Sequence, residues 1–160
     1  MGRHRKASHG KHVREVVIST ASAAIFGICL TATPAQASEN PGNAALDWEQ
    51  VHAAGCWYAW GGTSCGQGYD CSGVVYEAFL HSSGINLGRS TYDMLRSPHL
   101  RQVPLADARR GDLLFYGTGH VEMKTRWWHT SYGAHDSGTR VGYAHWNGYW
   151  APTMAFRVVR

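Results

Sequence analysis

Cys71 sits in Tyr69-Asp70-Cys71-Ser72-Gly73, directly ahead of the apolar run Val74 to Leu80. An aspartate before such a run is a helix N-cap signal, which places the thiol in the first turn of a helix. There the unpaired N–H groups and the helix dipole favour the thiolate, the form that attacks a carbonyl carbon. Asp70 works in the opposite direction, because a carboxylate beside the sulfur disfavours a second negative charge. A histidine partner is therefore required: its imidazolium would pair with the thiolate and later protonate a leaving amine.

Seven histidines follow residue 37, and position separates them. His120 comes after the turn Gly117-Thr118-Gly119 and opens the β-prone stretch His120-Val121-Glu122-Met123, so a strand end can present it to the helix start. His52 and His81 fall in helical segments, and His99 lies in a Pro-flanked loop.

Three cysteines, Cys56, Cys65 and Cys71, lie beyond residue 37, and in an oxidising compartment an odd number leaves one unpaired. Pairing Cys56 with Cys65 closes a short loop worth roughly 2 to 3 kcal/mol in chain entropy and leaves Cys71 free. Pairing Cys65 with Cys71 is the competing arrangement, and it would silence the nucleophile. The spacing of the three lacks the close pairs of tetrahedral zinc sites, so neither metal nor cofactor is expected.

The elements that must position these groups begin after a leader. Residues 1–14 carry five basic side chains, an apolar and small-residue run spans Val16 to Leu30, and Ala35-Gln36-Ala37 follows. This is the pattern of a secretory signal peptide, with cleavage expected after Ala37 and no stable membrane association afterwards. Ile28 before Cys29 argues against a lipoprotein. Removing residues 1–37 takes five of the 15 basic residues and one of the 11 acidic ones, so the remaining chain is formally neutral. No basic patch is left to drive nucleic-acid binding.

Residues 38–43 read as a short linker, and residues 44–160 as one domain, expected to be a monomer. Asn43 is a candidate cap for a helix to about Ala54, with Ala44, Trp48 and Val51 on one face and Gly55 as its stop. The Gly-rich stretch from Gly55 to Gly68 reads as a structured loop. The helix that holds Cys71 should end near Gly84, and a short helix should cover Thr91 to Arg96. Strands are expected over residues 112–116, 120–123, 130–134, 140–143 and 155–159. Helices first and strands after predict an α+β domain with an antiparallel sheet packed on the Cys71 helix.

Four segments in order carry a resemblance: Tyr58-Ala59-Trp60-Gly61-Gly62, Tyr69 to Val75, Arg110 to Tyr116, and Gly119-His120-Val121. Together they resemble the NlpC (p-sixty) family of papain-like cell-wall cysteine peptidases, from about Trp48 to the C-terminus. The resemblance implies a papain-like α+β fold with the nucleophile helix against five or six antiparallel strands. It also implies hydrolysis of peptidoglycan stem peptides, most commonly between D-γ-glutamate and the diamino acid that follows. Carried over residue by residue, Cys71 is the nucleophile and His120 its base, Tyr58 lies beside the thiol, and Asp70 and Ser72 meet substrate.

The chain departs from the family pattern at the polar group that orients the histidine. Ser131-Tyr132-Gly133-Ala134 offers no strong polar side chain at the expected place, and His135 is preferred over His129 because it shares the strand face of Gly133. Glu122 also lies on the face of His120, but its side chain is expected to flank the cleft and not to reach the distal ring nitrogen. Of the late aromatics, Trp127, Trp128, Trp146, Tyr149 and Trp150, most are expected inside the core, with one or two left to line a groove for glycan strands. Two other readings stay open: an amidase or acyltransferase on the same Cys–His pair, and a catalytically silent wall-binding protein.

Overall fold

The computed structural model describes Met1 and residues 40–160. The segment expected to be a signal peptide, and the part of the expected linker ahead of residue 40, lie outside the described residues.

Helix α1 spans Pro41–His52. Its cap is Asn40, whose side chain accepts from the Gly42 N–H at 3.1 Å, and Pro41 occupies the first turn, where its missing N–H costs nothing. Residues 41–43 are therefore helix, not linker, and Asn43 is not the cap. The buried face carries Ala45, Leu46 and Glu49, while Val51 is exposed. That face is turned by about one residue from the apolar triplet expected, because a carboxyl group occupies an inner position.

A two-stranded hairpin follows, β1 (Thr63–Ser64) with β2 (Gly68–Tyr69), inside the Gly-rich stretch. The Cys56–Cys65 disulfide ties this stretch to the end of α1. Helix α2, Cys71–Ser83, starts directly afterwards and ends at Gly84, whose φ of 68° is the left-handed cap conformation that glycine adopts without penalty. A short α3, Thr91–Met94, is started by a capping box between Ser90 and Asp93.

The rest is a six-stranded antiparallel sheet in the order β3-β8-β4-β5-β6-β7. The strands are β3 (Leu100–Val103), β4 (Leu113–Tyr116), β5 (His120–Lys124), β6 (Thr130–Gly133), β7 (Gly142–His145) and β8 (Met154–Val158). Edge strand β3 is missing from the sequence expectation, since Arg101 and Gln102 are exposed and mask any apolar alternation. Strand β7 begins two residues later than expected.

Each face of the sheet has its own partners. Leu113, Phe115, Val121, Met123 and Tyr132 join Leu46, Val75, Ala78 and Phe79 of the helices in the main core. Leu114, Tyr116 and Ala155 form a second cluster on the opposite face, flanked by Trp146. In the β4–β5 register Tyr116 lies opposite His120 and Leu114 opposite Glu122. Directly paired residues share a face, so His120, Glu122 and Lys124 project with the second cluster, away from the main core. The late aromatics depart from expectation here: Trp127, Trp128, Tyr149 and Trp150 are all exposed.

Candidate active site

The start of α2 is built by Asp70. Its Oδ1 accepts from the Gly73 N–H at 2.6 Å, while its Oδ2 accepts from the Gly61 N–H at 2.8 Å and joins the Gly-rich loop to the helix. A side chain on Gly73 has no room, since a Cβ there would stand 2.2 Å from the Gly62 carbonyl oxygen. Cys71 is consequently fixed at the first helical position, where it is 5 % exposed, and it is a free cysteine.

Arg89 removes the electrostatic objection raised by Asp70. Its guanidinium donates to both carboxylate oxygens, at 2.9 and 2.8 Å, and also to the Ser72 hydroxyl at 3.1 Å. The Asp70 charge is thereby met by a fixed cation in bidentate geometry. Arg89 lies 18 residues beyond Cys71 in a loop before α3, and sequence reasoning missed it because no local pattern links the two. With Trp60, Gly61, Ser72, Tyr92 and Gly119 it lines a cleft of about 500 Å³ at Cys71. Tyr58 lies near the same sulfur. Burial first, then the charges of Cys71 and Asp70, push its phenol above the usual range.

His120 stands at the beginning of β5 with its ring edge-on to Tyr116, centroids 5.4 Å apart, and tilted against Trp150 at 5.6 Å. Its Nε2 donates to Glu122 Oε1 at 2.9 Å. Burial lowers its pKa, yet hydrogen bonding with Cys71 and Glu122 and the charges of both outweigh that penalty, pushing it up to about 9. The imidazole is thus held as a cation between a sulfur and a carboxylate.

Glu122 is fully buried. Burial raises its pKa, but bonds from His120, His135 and Ser131 more than offset this and hold it at about 2. Oε1 also accepts from His135 Nδ1 at 2.5 Å, and Oε2 accepts from the Ser131 and Tyr116 hydroxyls. The bonds of His135 go to Glu122 and, through Nε2 at 3.0 Å, to the Gly142 carbonyl, not to His120. Glu122 is therefore the group bonded to His120, in the place expected of His135, and His135 is bonded to Glu122 behind it. The signal lay in the i, i+2 relation of His120 and Glu122. Gly133 supplies the room: a Cβ there would meet Glu122 Cγ at 3.1 Å.

The remaining histidines serve elsewhere. His81 stacks on Trp48 at 5.2 Å, His99 Nδ1 bonds to the Val159 carbonyl, and His129 stacks on Trp128. A free thiol at a helix start, an imidazole on one side of it and a buried carboxylate behind the imidazole form the arrangement that cysteine-nucleophile acyl transfer needs.

Comparison with known proteins gives the family of the chain. The model of the NlpC/P60 family matches residues 55–155, and the chain belongs to that family. The peptidoglycan endopeptidase RipB of Mycobacterium tuberculosis is 39 % identical over 81 residues, covering 41 % of this chain and 32 % of RipB. A gamma-D-glutamyl-L-lysine dipeptidyl-peptidase of Bacillus subtilis is 42 % identical over 59 residues, covering 37 % of this chain and 19 % of the relative. The solved structure of RipB superposes with a TM-score of 0.64 at 27 % identity, covering 75 % of this chain and 65 % of that one. The chain spans a third or less of the length of the curated relatives it matches. Its α+β fold with a six-stranded antiparallel sheet is that of the papain-like NlpC/P60 domains.

Proposed function

We propose that this protein is an exported cysteine peptidase that hydrolyses peptide bonds in peptidoglycan stem peptides, at the bond between D-γ-glutamate and the following diamino acid. The observation that carries the reading is the free Cys71 at the start of α2, coupled to a cationic His120 that is backed by Glu122. Relatives named as peptidoglycan endopeptidases, one of them a γ-D-glutamyl dipeptidyl-peptidase, supply the substrate class.

In this scheme the Cys71 thiolate attacks the scissile carbonyl, and the backbone N–H of Cys71 faces the developing oxyanion. His120 gives its proton to the leaving amine, which departs. Water then attacks the thioester with His120 as base, releasing the acid and restoring the thiolate. Glu122 fixes the ring orientation and stabilises the imidazolium, and Ser131, Tyr116 and His135 fix Glu122. Tyr58 borders the sulfur. Ser72 and Asp70 border the cleft, although the Asp70 oxygens are already engaged by Arg89, Gly61 and Gly73. The basic, apolar, Ala-x-Ala leader supports action outside the cytoplasmic membrane.

Digestion of purified sacculi, with mass spectrometry of the released fragments, tests the reading. Stem peptides cut after D-γ-glutamate are expected from the wild type and none from Cys71→Ala. Fragments with a free muramyl lactyl group would identify an amidase instead, and equal release by both proteins would end the cysteine reading.

A further inference from the structure

The sheet face that carries His120 and Glu122 continues into a second concavity of about 680 Å³, outside the catalytic cleft. Trp127, Trp128, His129 and Trp146 line it over a floor that includes Leu114 and Lys124. Trp128 stacks on His129, with centroids 4.5 Å apart and planes 17° from parallel, and His129 is tilted against Trp146 at 5.4 Å. The Lys124 ammonium donates to the Thr125 and Trp127 carbonyls at 2.6 Å each, which holds the connection between β5 and β6 in the form that presents the rings. Trp128 is nonetheless 84 % exposed and Trp127 50 %. One face of each ring is occupied within the protein, Trp127 by the Arg126 guanidinium at 4.1 Å and Trp128 by His129, and the remaining ring surface is open to water.

Two features identify the occupant. The first is continuity with the catalytic face: His120, Glu122 and Lys124 alternate along β5, so the histidine and the groove floor lie about 13 Å apart on one side of one strand. The connection after β7 spans the same interval. Its Trp150 stacks on Tyr116 at 4.9 Å next to His120, while its Asn147, Gly148 and Ala151 reach the groove. The second is charge. Among the described residues, Lys124 and Arg126 line the groove and no carboxylate does, which suits a neutral or anionic ligand. Aromatic faces stack on the C–H faces of pyranose rings, and the cations and indole N–H groups supply donors for acetamide and hydroxyl oxygens.

We propose that this groove binds the glycan strand of peptidoglycan, a chain of N-acetylated amino sugars, while the attached stem peptide lies in the Cys71 cleft. The inference rests on the peptidoglycan reading for its ligand and not on Cys71 chemistry. It also gives the catalytic domain its own hold on an insoluble substrate.

The test uses glycan strands stripped of all stem peptide and titrated into the Cys71→Ala protein by calorimetry. These strands contain no peptide bond, so the result is independent of whether the peptidase reading stands, which muropeptide release tests separately. Saturable binding is expected, weakened roughly tenfold or more by Trp128→Ala and again by Trp127→Ala. Both side chains are exposed, and unchanged thermal melts will verify that the variants fold. Absence of saturable binding, equal affinity in the Trp128→Ala protein, or equal binding of dextran would overturn the proposal. So would binding only to phosphatidylglycerol vesicles, or concentration-dependent dimerisation abolished by Trp128→Ala.

Discussion

Replacing Glu122 by glutamine removes one charge and almost no volume from the centre of the site. The amide oxygen can still accept from His120 and His135, and the amide NH₂ can donate to the Ser131 and Tyr116 hydroxyl oxygens, so the ring of His120 keeps its place. What is lost is the anion that stabilises the imidazolium. The His120 pKa stands at about 9 against an ordinary 6.5, which corresponds to about 3 kcal/mol in favour of the charged form, shared between Cys71 and Glu122 and net of burial. Losing the Glu122 share in a buried setting should lower kcat/KM on a defined muropeptide by roughly 10 to 100-fold. The basic limb of the rate profile, set by loss of the His120 proton, should move from about pH 9 toward neutrality. A full pH–rate profile of both proteins is the assay. A variant within threefold of wild type, with its basic limb unmoved, would refute the assignment of Glu122.

Arg89→Met leaves the Asp70 carboxylate without its cation beside the sulfur, and alkylation of Cys71 by iodoacetamide at neutral pH should slow several-fold; an unchanged rate would mean that Arg89 does not act on the thiol. Stability should follow the two shifted groups of the site. Glu122, with its pKa lowered to about 2, contributes stability that is present above about pH 4.5 and lost as pH falls through about 2, whereas His120 contributes stability that is full below about 6.5 and lost as pH rises through about 9. Thermal melts in which the midpoint stays level from pH 6.5 to 10 would contradict the His120 part. Glu49 is wholly buried with both carboxyl oxygens unpartnered among the described residues, and burial followed by the Glu122 charge pushes its pKa well up. Glu49→Met should therefore raise the melting temperature at pH 8 and do so less at pH 4, where the carboxyl is mostly neutral in the unfolded chain as well as in the folded one. Replacing Cys56 and Cys65 by serine should cost roughly 2 to 3 kcal/mol in denaturant melts, the entropy of the short loop they close.

What the sequence disclosed was what local chemistry decides. Asp70, Cys71 and Gly84 announce the start and stop of α2 through capping, which involves only neighbours in the chain. The odd cysteine count left one thiol over, and the short loop favoured pairing Cys56 with Cys65 over Cys65 with Cys71, which is the disulfide present. The misses all concern groups whose role depends on strands or loops far away. Glu122 reaches His120 because β6 places Ser131 and side-chain-free Gly133 beside it, and no reading of β5 alone could weigh that pairing. Arg89 meets Asp70 only after the chain has passed through α2. Glu49 took an inner position of α1 against the rule that carboxylates face water, and this turned the expected apolar face by about one residue. The exposed tryptophans reversed the general preference for burial, and they do so on the face that His120 and Glu122 share.

The most direct measurement of the central claim is the rate at which iodoacetamide alkylates Cys71 at pH 6.5 in the wild type and in His120→Ala. Activation of the sulfur by the neighbouring imidazole predicts a rate at least about tenfold higher in the wild type. Equal rates would show that His120 does not activate the sulfur, and the catalytic account would fail with it.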